Sequence, residues 1–169
     1  MHPRSALLLT TIGLSAALAT GCAGVSAAES AHRIQVVMHD NHLVAVAYRA
    51  EAKAQRDCIR KMNTGVITSD EEAAGCLSAG LTASHLEDAI GTFHQHVLDV
   101  GKSGDDGCRA AANRLASVIA QERAYVHASH EDLARLDGRA YNEDGTHAGE
   151  MAAREADPSA AMVRACMDG

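Results

Sequence analysis

Aromatic side chains are scarce in this sequence. Its 169 residues include no tryptophan, one phenylalanine and three tyrosines. Proteins that bind single-stranded nucleic acid use aromatic rings as stacking platforms, and sugar-binding sites use them in a similar way. The formal net charge of −7 also repels phosphate backbones. Both features disfavour a nucleic-acid partner, and the lack of rings disfavours a sugar partner.

Proline is scarcer still, since the chain contains only Pro3 and Pro158. Proline interrupts a helix interior, so the long span between these two residues permits unbroken helices. Apolar residues recur within that span at spacings of three and four, which is typical of amphipathic helices. Residues 43–46 could form a strand, but no second strand-like run exists to pair with them. The pattern therefore favours an all-α fold.

Short catalytic motifs are also missing from the sequence. It contains no GxSxG, no glycine-rich phosphate loop and no HExxH. It has no CxxC either, which disfavours a thioredoxin-like redox site and covalently attached haem. We therefore expect that the chain is not an enzyme.

The first residues have the features of an export signal. Arg4 is the only charged side chain at the start, and a mostly apolar run follows from Ala6 to Ala19. This run is shorter than the roughly 20 apolar residues that a membrane-spanning helix needs. A short apolar run behind a basic residue is typical of a secretory signal, which is removed after export.

The end of this segment resembles the lipobox of bacterial lipoproteins. Residues 18–22 read Leu-Ala-Thr-Gly-Cys, with two small residues directly before the cysteine. The resemblance implies that residues 1–21 are removed and that Cys22 becomes a lipidated N-terminus. Residues 22–28 would then form a flexible tether, and residues 29–169 a single domain. The alternative is a soluble secretory protein that is cut later, for instance after Ala27.

The rest of the chain predicts an up-and-down helical bundle of three to four long helices with short extra helices. Asn142 to Gly145 indicate a loop, and Asp157 followed by Pro158 indicates an N-cap and a first helical residue. The expected elements are a first helix over 29–62, a short helix around Cys76, a second long helix over 84–101, a third over 107–136, a loop within 138–149, a fourth helix over 146–156 and a terminal segment over 157–167.

The remaining four cysteines predict two disulfides, because their number is even and the expected compartment is oxidising. Sequence alone allows three pairings, but antiparallel helices would bring Cys58 to Cys76 at one end of the bundle. The same topology would bring Cys108 to Cys166 at the other end. A zinc site made of all four thiolates is disfavoured, because structural zinc sites use closely spaced ligand pairs.

Histidines provide the strongest chemical signal in the chain. His39 and His42 share a helix face, as do His127 and His130, because each pair is separated by three residues. Two facing pairs would supply four nitrogen ligands, which suits zinc or copper. The alternative is that these histidines cap the flanks of the core with one ring edge in water.

Two further residues lie on apparent core-facing positions. Met38 is expected to fill a gap in the core. Glu122 is expected to be a boundary carboxylate that reaches water or a basic side chain on a neighbouring helix.

These observations favour a lipid-anchored helical bundle of the cell envelope, which contacts the membrane through its N-terminal lipid. It would act as a binding or scaffold protein, with another envelope protein as a candidate partner. The alternative function is histidine-based binding of zinc or copper in the envelope.

Overall fold

A computed structural model describes residues 26–64, 70–135 and 137–167. The signal segment and Cys22 lie outside these residues, as does most of the expected tether. Five helices account for nearly all of the described chain, and these residues form no strand. The helices are α1 (Ala27–Thr64), α2 (Asp70–Ser103), α3 (Asp106–Ala134), α4 (Gly138–Arg154) and α5 (Ala156–Met167). The all-α bundle expected from the sequence is thus confirmed.

The first four helices pack mainly against their neighbours in the chain, whereas α5 packs mainly on α3. Helix α1 packs on α2, α2 packs on α3, and α3 packs on both α4 and α5, whereas α1 and α3 lie diagonally across the bundle. The core between them is apolar and closely packed, because α2 and α3 each present a stripe at helical spacing. Its largest fully buried apolar side chains are Leu86, Ile90, Phe93, Leu115, Ile119 and Met162.

Both disulfides have the pairing that the antiparallel topology predicts. Cys58 is bonded to Cys76, and Cys108 is bonded to Cys166. The first bond joins α1 to α2, and the second joins the start of α3 to the end of α5. Gly104 makes room for the second bond, since a Cβ atom at this position would overlap with Sγ of Cys108.

The short helix around Cys76 and the second long helix are one continuous element, α2, so the predicted break between them is wrong. Gly80 lies inside α2, where a glycine costs about 1 kcal/mol relative to alanine. Packing of α2 against the neighbouring helices outweighs this cost. A Cβ atom at Gly80 would lie 3.8 Å from Nε2 of His130, which is an ordinary van der Waals contact.

The loop predicted within residues 138–149 is also wrong, because α4 begins at Gly138. The side chain of Asp137 caps this helix by accepting hydrogen bonds from the backbone N–H groups of Arg139 and Ala140. Burial of Tyr141 and Ala148 then holds it against the bundle. Helix α5 begins at Ala156, one residue earlier than the N-cap that the sequence predicts.

The buried face of α1 differs from the predicted one. Met38 is 61% exposed, so its predicted place in the core is wrong. The stripe that faces the other helices instead recurs at spacings of three, four and seven residues and includes polar members. Its buried residues are Ile34, Val37, Asp40, Val44, Glu51, Gln55 and Cys58. Glutamate and glutamine are usually found on solvent-facing positions. Their presence on the buried face explains why the sequence predicted a different face of α1.

Candidate functional site

A cluster of acidic and phenolic side chains lies in the middle of the bundle. Glu122 of α3 has no exposed surface, and the Tyr48 hydroxyl of α1 donates a hydrogen bond to its Oε1 at 2.6 Å. The expectation that Glu122 reaches water or a basic side chain is therefore wrong. The diagonal packing brings it instead against Tyr48 and against a second acid, Glu155.

Glu155, at the turn between α4 and α5, is hydrogen-bonded to Glu122. Burial, this hydrogen bond and the negative charge of Glu122 raise the pKa of Glu155 to about 9. The pair of carboxyl groups thus shares a proton at neutral pH. Among the described groups, Oε2 of Glu122 and Oε1 of Glu155 meet no N–H or O–H donor.

A second polar layer follows toward the Cys58 end of α1. Glu51 accepts hydrogen bonds from Gln55 Nε2 at 2.9 Å and from the Tyr141 hydroxyl at 3.4 Å. Burial raises the pKa of Glu51, and burial near Glu51 raises the pKa of Tyr141. These hydrogen bonds hold Glu51 in a fixed position between α1 and α4. Glu51, Gln55 and Tyr141 are at most 9% exposed, so a dissolved substrate reaches them only if the helices separate.

A further acid pair joins α3 to α4. Asp132 is buried, and the Asp144 carboxyl is hydrogen-bonded to it. Burial, this bond and the charge of Asp132 raise the pKa of Asp144. Arg135 donates a hydrogen bond to Oδ1 of Asp132. Two acid pairs, Glu122 with Glu155 and Asp132 with Asp144, thus connect α3 to the C-terminal helices.

The predicted histidine pair on α3 lies beside an acid of α2. Nδ1 of His127 is 3.1 Å from Oε2 of Glu87, and Nδ1 of His130 is 4.0 Å from the same oxygen. The hydrogen bond to Glu87, followed by that acid's charge, raises the pKa of His127. The His127 side chain is 58% exposed, so this cluster lies at the surface of the α2–α3 seam.

The other predicted pair, His39 and His42, is exposed on α1. It does not meet the α3 pair, because α1 and α3 are diagonal. The two pairs also lie at different levels. His39 is next to Asp40, which contacts His96 of α2, whereas His127 contacts Glu87 of α2. Positions 87 and 96 are about 14 Å apart along α2. The described residues contain no group of three or more histidine, cysteine or acidic side chains arranged to hold a metal ion.

The solvent side of α1 has an unusual distribution of charge. Between residues 31 and 56 the chain has only two acids, Asp40 and Glu51, and both are buried. Asp40 is bound by His96 of α2, with Oδ2 and Nδ1 2.5 Å apart. The sequence analysis missed this feature, although the spacing of the two acids on the buried side of α1 was a usable signal.

Between residues 35 and 53, seven exposed residues of α1 lie within an arc of about 100° opposite its buried stripe. We call this surface the outer face of α1. Met38 and Val46 are 61% and 42% exposed on it, and Leu43 is 44% exposed at its edge. The outer face consists of Gln35, Met38, His39, His42, Val46, Arg49 and Lys53.

A shallow cleft of about 440 Å³ separates the start of α1 from the end of α2. Its cationic groups already have acidic neighbours: Arg33 pairs with Glu29, and Lys102 pairs with Asp99 at 2.9 Å. The cleft therefore has little free charge with which to bind an ion.

Comparisons with known proteins identify no relative of this chain. No family model, curated protein or solved structure matches it. Among the described residues, no helix is long and apolar enough to cross a membrane. The two disulfides are compatible with a location outside the cytoplasm. Function must therefore be argued from the geometry of the chain itself.

Proposed function

We propose that this chain is an exported, lipid-anchored bundle of the cell envelope that acts by binding, with the outer face of α1 as its binding surface. The observation that carries this proposal is the contrast between the two sides of α1. The acids of residues 31–56 are buried, whereas Met38 and Val46 are exposed to water among histidines and cations. Exposed apolar side chains grouped on one face are typical of interaction sites.

The buried polar groups support binding rather than catalysis. Glu122 and Glu155 are buried in the interior of the bundle, so a dissolved substrate does not reach them. The two disulfides restrain both ends of the bundle. A rigid bundle keeps the outer face of α1 in one shape, which reduces the entropy lost on binding.

Photo-crosslinking in exporting cells tests this proposal. A photoreactive amino acid replaces Val46 on the outer face in one variant and Asn113 on the exposed side of α3 in a matched control. We expect adducts from position 46 and few from position 113. Equal adducts from both positions, or none from position 46, would overturn the outer face as the binding surface.

A further inference from the structure

The partner of the outer face follows from its chemistry, and this inference rests on the function proposed above. The whole chain carries a formal charge of −7, but the outer face carries Arg49 and Lys53 and no acid. Positive charge gathered on one face of an acidic protein points to a negatively charged partner.

The apolar residues of the same face narrow the choice of partner. Met38, His42 and Val46 follow one another at intervals of four residues, and Arg49 and Lys53 continue the same line. A helix that lies in the plane of a membrane has this composition, with apolar side chains entering the headgroup boundary and cations near the lipid phosphates. The line from Met38 to Lys53 is about 22 Å long.

The position of α1 in the chain favours a membrane over a soluble acidic protein. Helix α1 begins at Ala27, close behind Cys22, the residue expected to carry lipid. The residues between them span at most about 18 Å when extended. An anchor at Cys22 would hold the start of α1 close to the bilayer, and the long axis of α1 could then lie along the surface.

We propose that the outer face of α1 docks on the surface of an anionic lipid bilayer, with Arg49 and Lys53 near the lipid phosphates and Met38 and Val46 in the headgroup boundary. The bundle then lies on its side against the membrane. Helices α3 and α4, which do not contribute to this face, are turned toward the aqueous compartment.

Histidine labelling provides a test that needs no new probe in the protein. The lipidated full chain is reconstituted in phosphatidylcholine vesicles with or without phosphatidylglycerol and treated with diethylpyrocarbonate. Mass spectrometry then compares the labelling of His39 and His42 with that of His85, which is exposed on α2. We expect His39 and His42 to be protected relative to His85 only in the anionic vesicles.

A pair of double variants tests the role of charge. Each cation near an anionic surface contributes about a five-fold factor to binding, so Arg49→Gln with Lys53→Gln should reduce docking roughly 25-fold and abolish the protection. The matched control, Arg114→Gln with Arg139→Gln, removes two exposed cations from α3 and α4 and should retain it. Circular dichroism establishes that both variants are folded.

The possible results separate this inference from the proposed function. A chain that floats with both vesicle types but shows no protection would overturn membrane docking and leave the binding function standing, with an acidic protein as the partner to be sought at Val46. Membrane docking would also be overturned if His39 and His42 were equally protected in both vesicle types. Equal loss of this protection in the two double variants would overturn it as well. A chain that floats with neither vesicle type would contradict the lipid anchor and the docking together.

Discussion

Glu122 and Glu155 form a carboxyl pair in the interior of the bundle, and the pair shares a proton at neutral pH. Two ionised carboxylates in this position would repel one another in a poorly solvated environment. The arrangement therefore links packing of α5 against α3 to a protonation state. It also explains how buried acids can coexist with a closely packed core.

The first prediction concerns the pH dependence of stability. The pKa of Glu155 is raised from 4.5 in the unfolded chain to about 9 in the folded one. A group with a raised folded pKa contributes stability that is complete below its unfolded pKa and lost as pH rises toward its folded pKa. The free energy of unfolding should therefore fall between about pH 4.5 and pH 9, by at most about 1.4 kcal/mol per pH unit from this group.

Urea unfolding of the oxidised protein across this range measures the effect. The variant Glu155→Gln keeps a side chain that can donate to Glu122 but does not titrate, so its stability should depend less on pH. Glu150→Gln, on the exposed side of α4, is the matched control and should behave like the wild type. A Glu155→Gln profile as steep as that of the wild type would contradict the assignment of the proton.

The second prediction concerns the hydrogen bond from Tyr48 to Glu122. Tyr48→Phe removes the hydroxyl that donates to Oε1 at 2.6 Å and leaves a fully buried acceptor without this partner. The expected loss in the free energy of unfolding is about 1–3 kcal/mol. Tyr125→Phe is the control, because that ring is half-buried against His147. Equal stabilities of the two variants would show that the Tyr48 hydroxyl contributes nothing.

The third prediction compares two glycines. A Cβ atom at Gly104 would overlap with the Cys108–Cys166 bond, whereas one at Gly149, on the exposed side of α4, would meet nothing within 4 Å. Gly149→Ala should therefore raise stability by about 0.5–1 kcal/mol, because alanine favours helix. Gly104→Ala should lower it, since Cys108 must move. Thermal unfolding of both variants decides the matter, and stabilisation by Gly104→Ala would refute the close approach.

The fold could be predicted largely from apolar spacing and from chain topology. The spacing indicated helices, and antiparallel neighbours then determined which cysteines meet, as Cys58 and Cys76 do. The errors arose where local preference and packing disagree. Gly80 and the polar start of α4 disfavour helix locally, but contacts with distant residues stabilise helix at both places.

The buried acids could not be predicted for a different reason. An acid at a core position is usually too costly to bury, so sequence reasoning places it at the surface. Glu51 and Glu155 are tolerated only because Tyr141 and Glu122, distant in sequence, meet them in the folded chain. No pattern in one sequence reveals such partners.

The fourth prediction concerns the expected lipid anchor. If Cys22 is the acylated residue, the Cys22→Ser precursor should fail to incorporate labelled fatty acid and should no longer mature normally. Cys76→Ser is a control, since it removes a cysteine that is disulfide-bonded in the folded chain and should leave lipid incorporation intact. Fatty-acid labelling of exporting cells measures both. Undiminished labelling of the Cys22→Ser chain would rule out Cys22 as the acylation site.

The last prediction concerns two histidines whose pKa values shift in opposite directions. The hydrogen bond to Glu87 raises the pKa of His127, whereas burial and then Arg123 lower the pKa of His94. Stabilisation from the Glu87–His127 pair is therefore complete below about pH 6.5 and lost as pH rises through the folded pKa of His127. An NMR titration should show His127 titrating above His94.

Glu87→Gln should lower the pKa of His127 more than Glu131→Gln does, because Glu131 is more distant, at 3.7 Å from Nε2. Equal shifts in the two variants would mean that Glu87 is not the principal partner of His127 in solution.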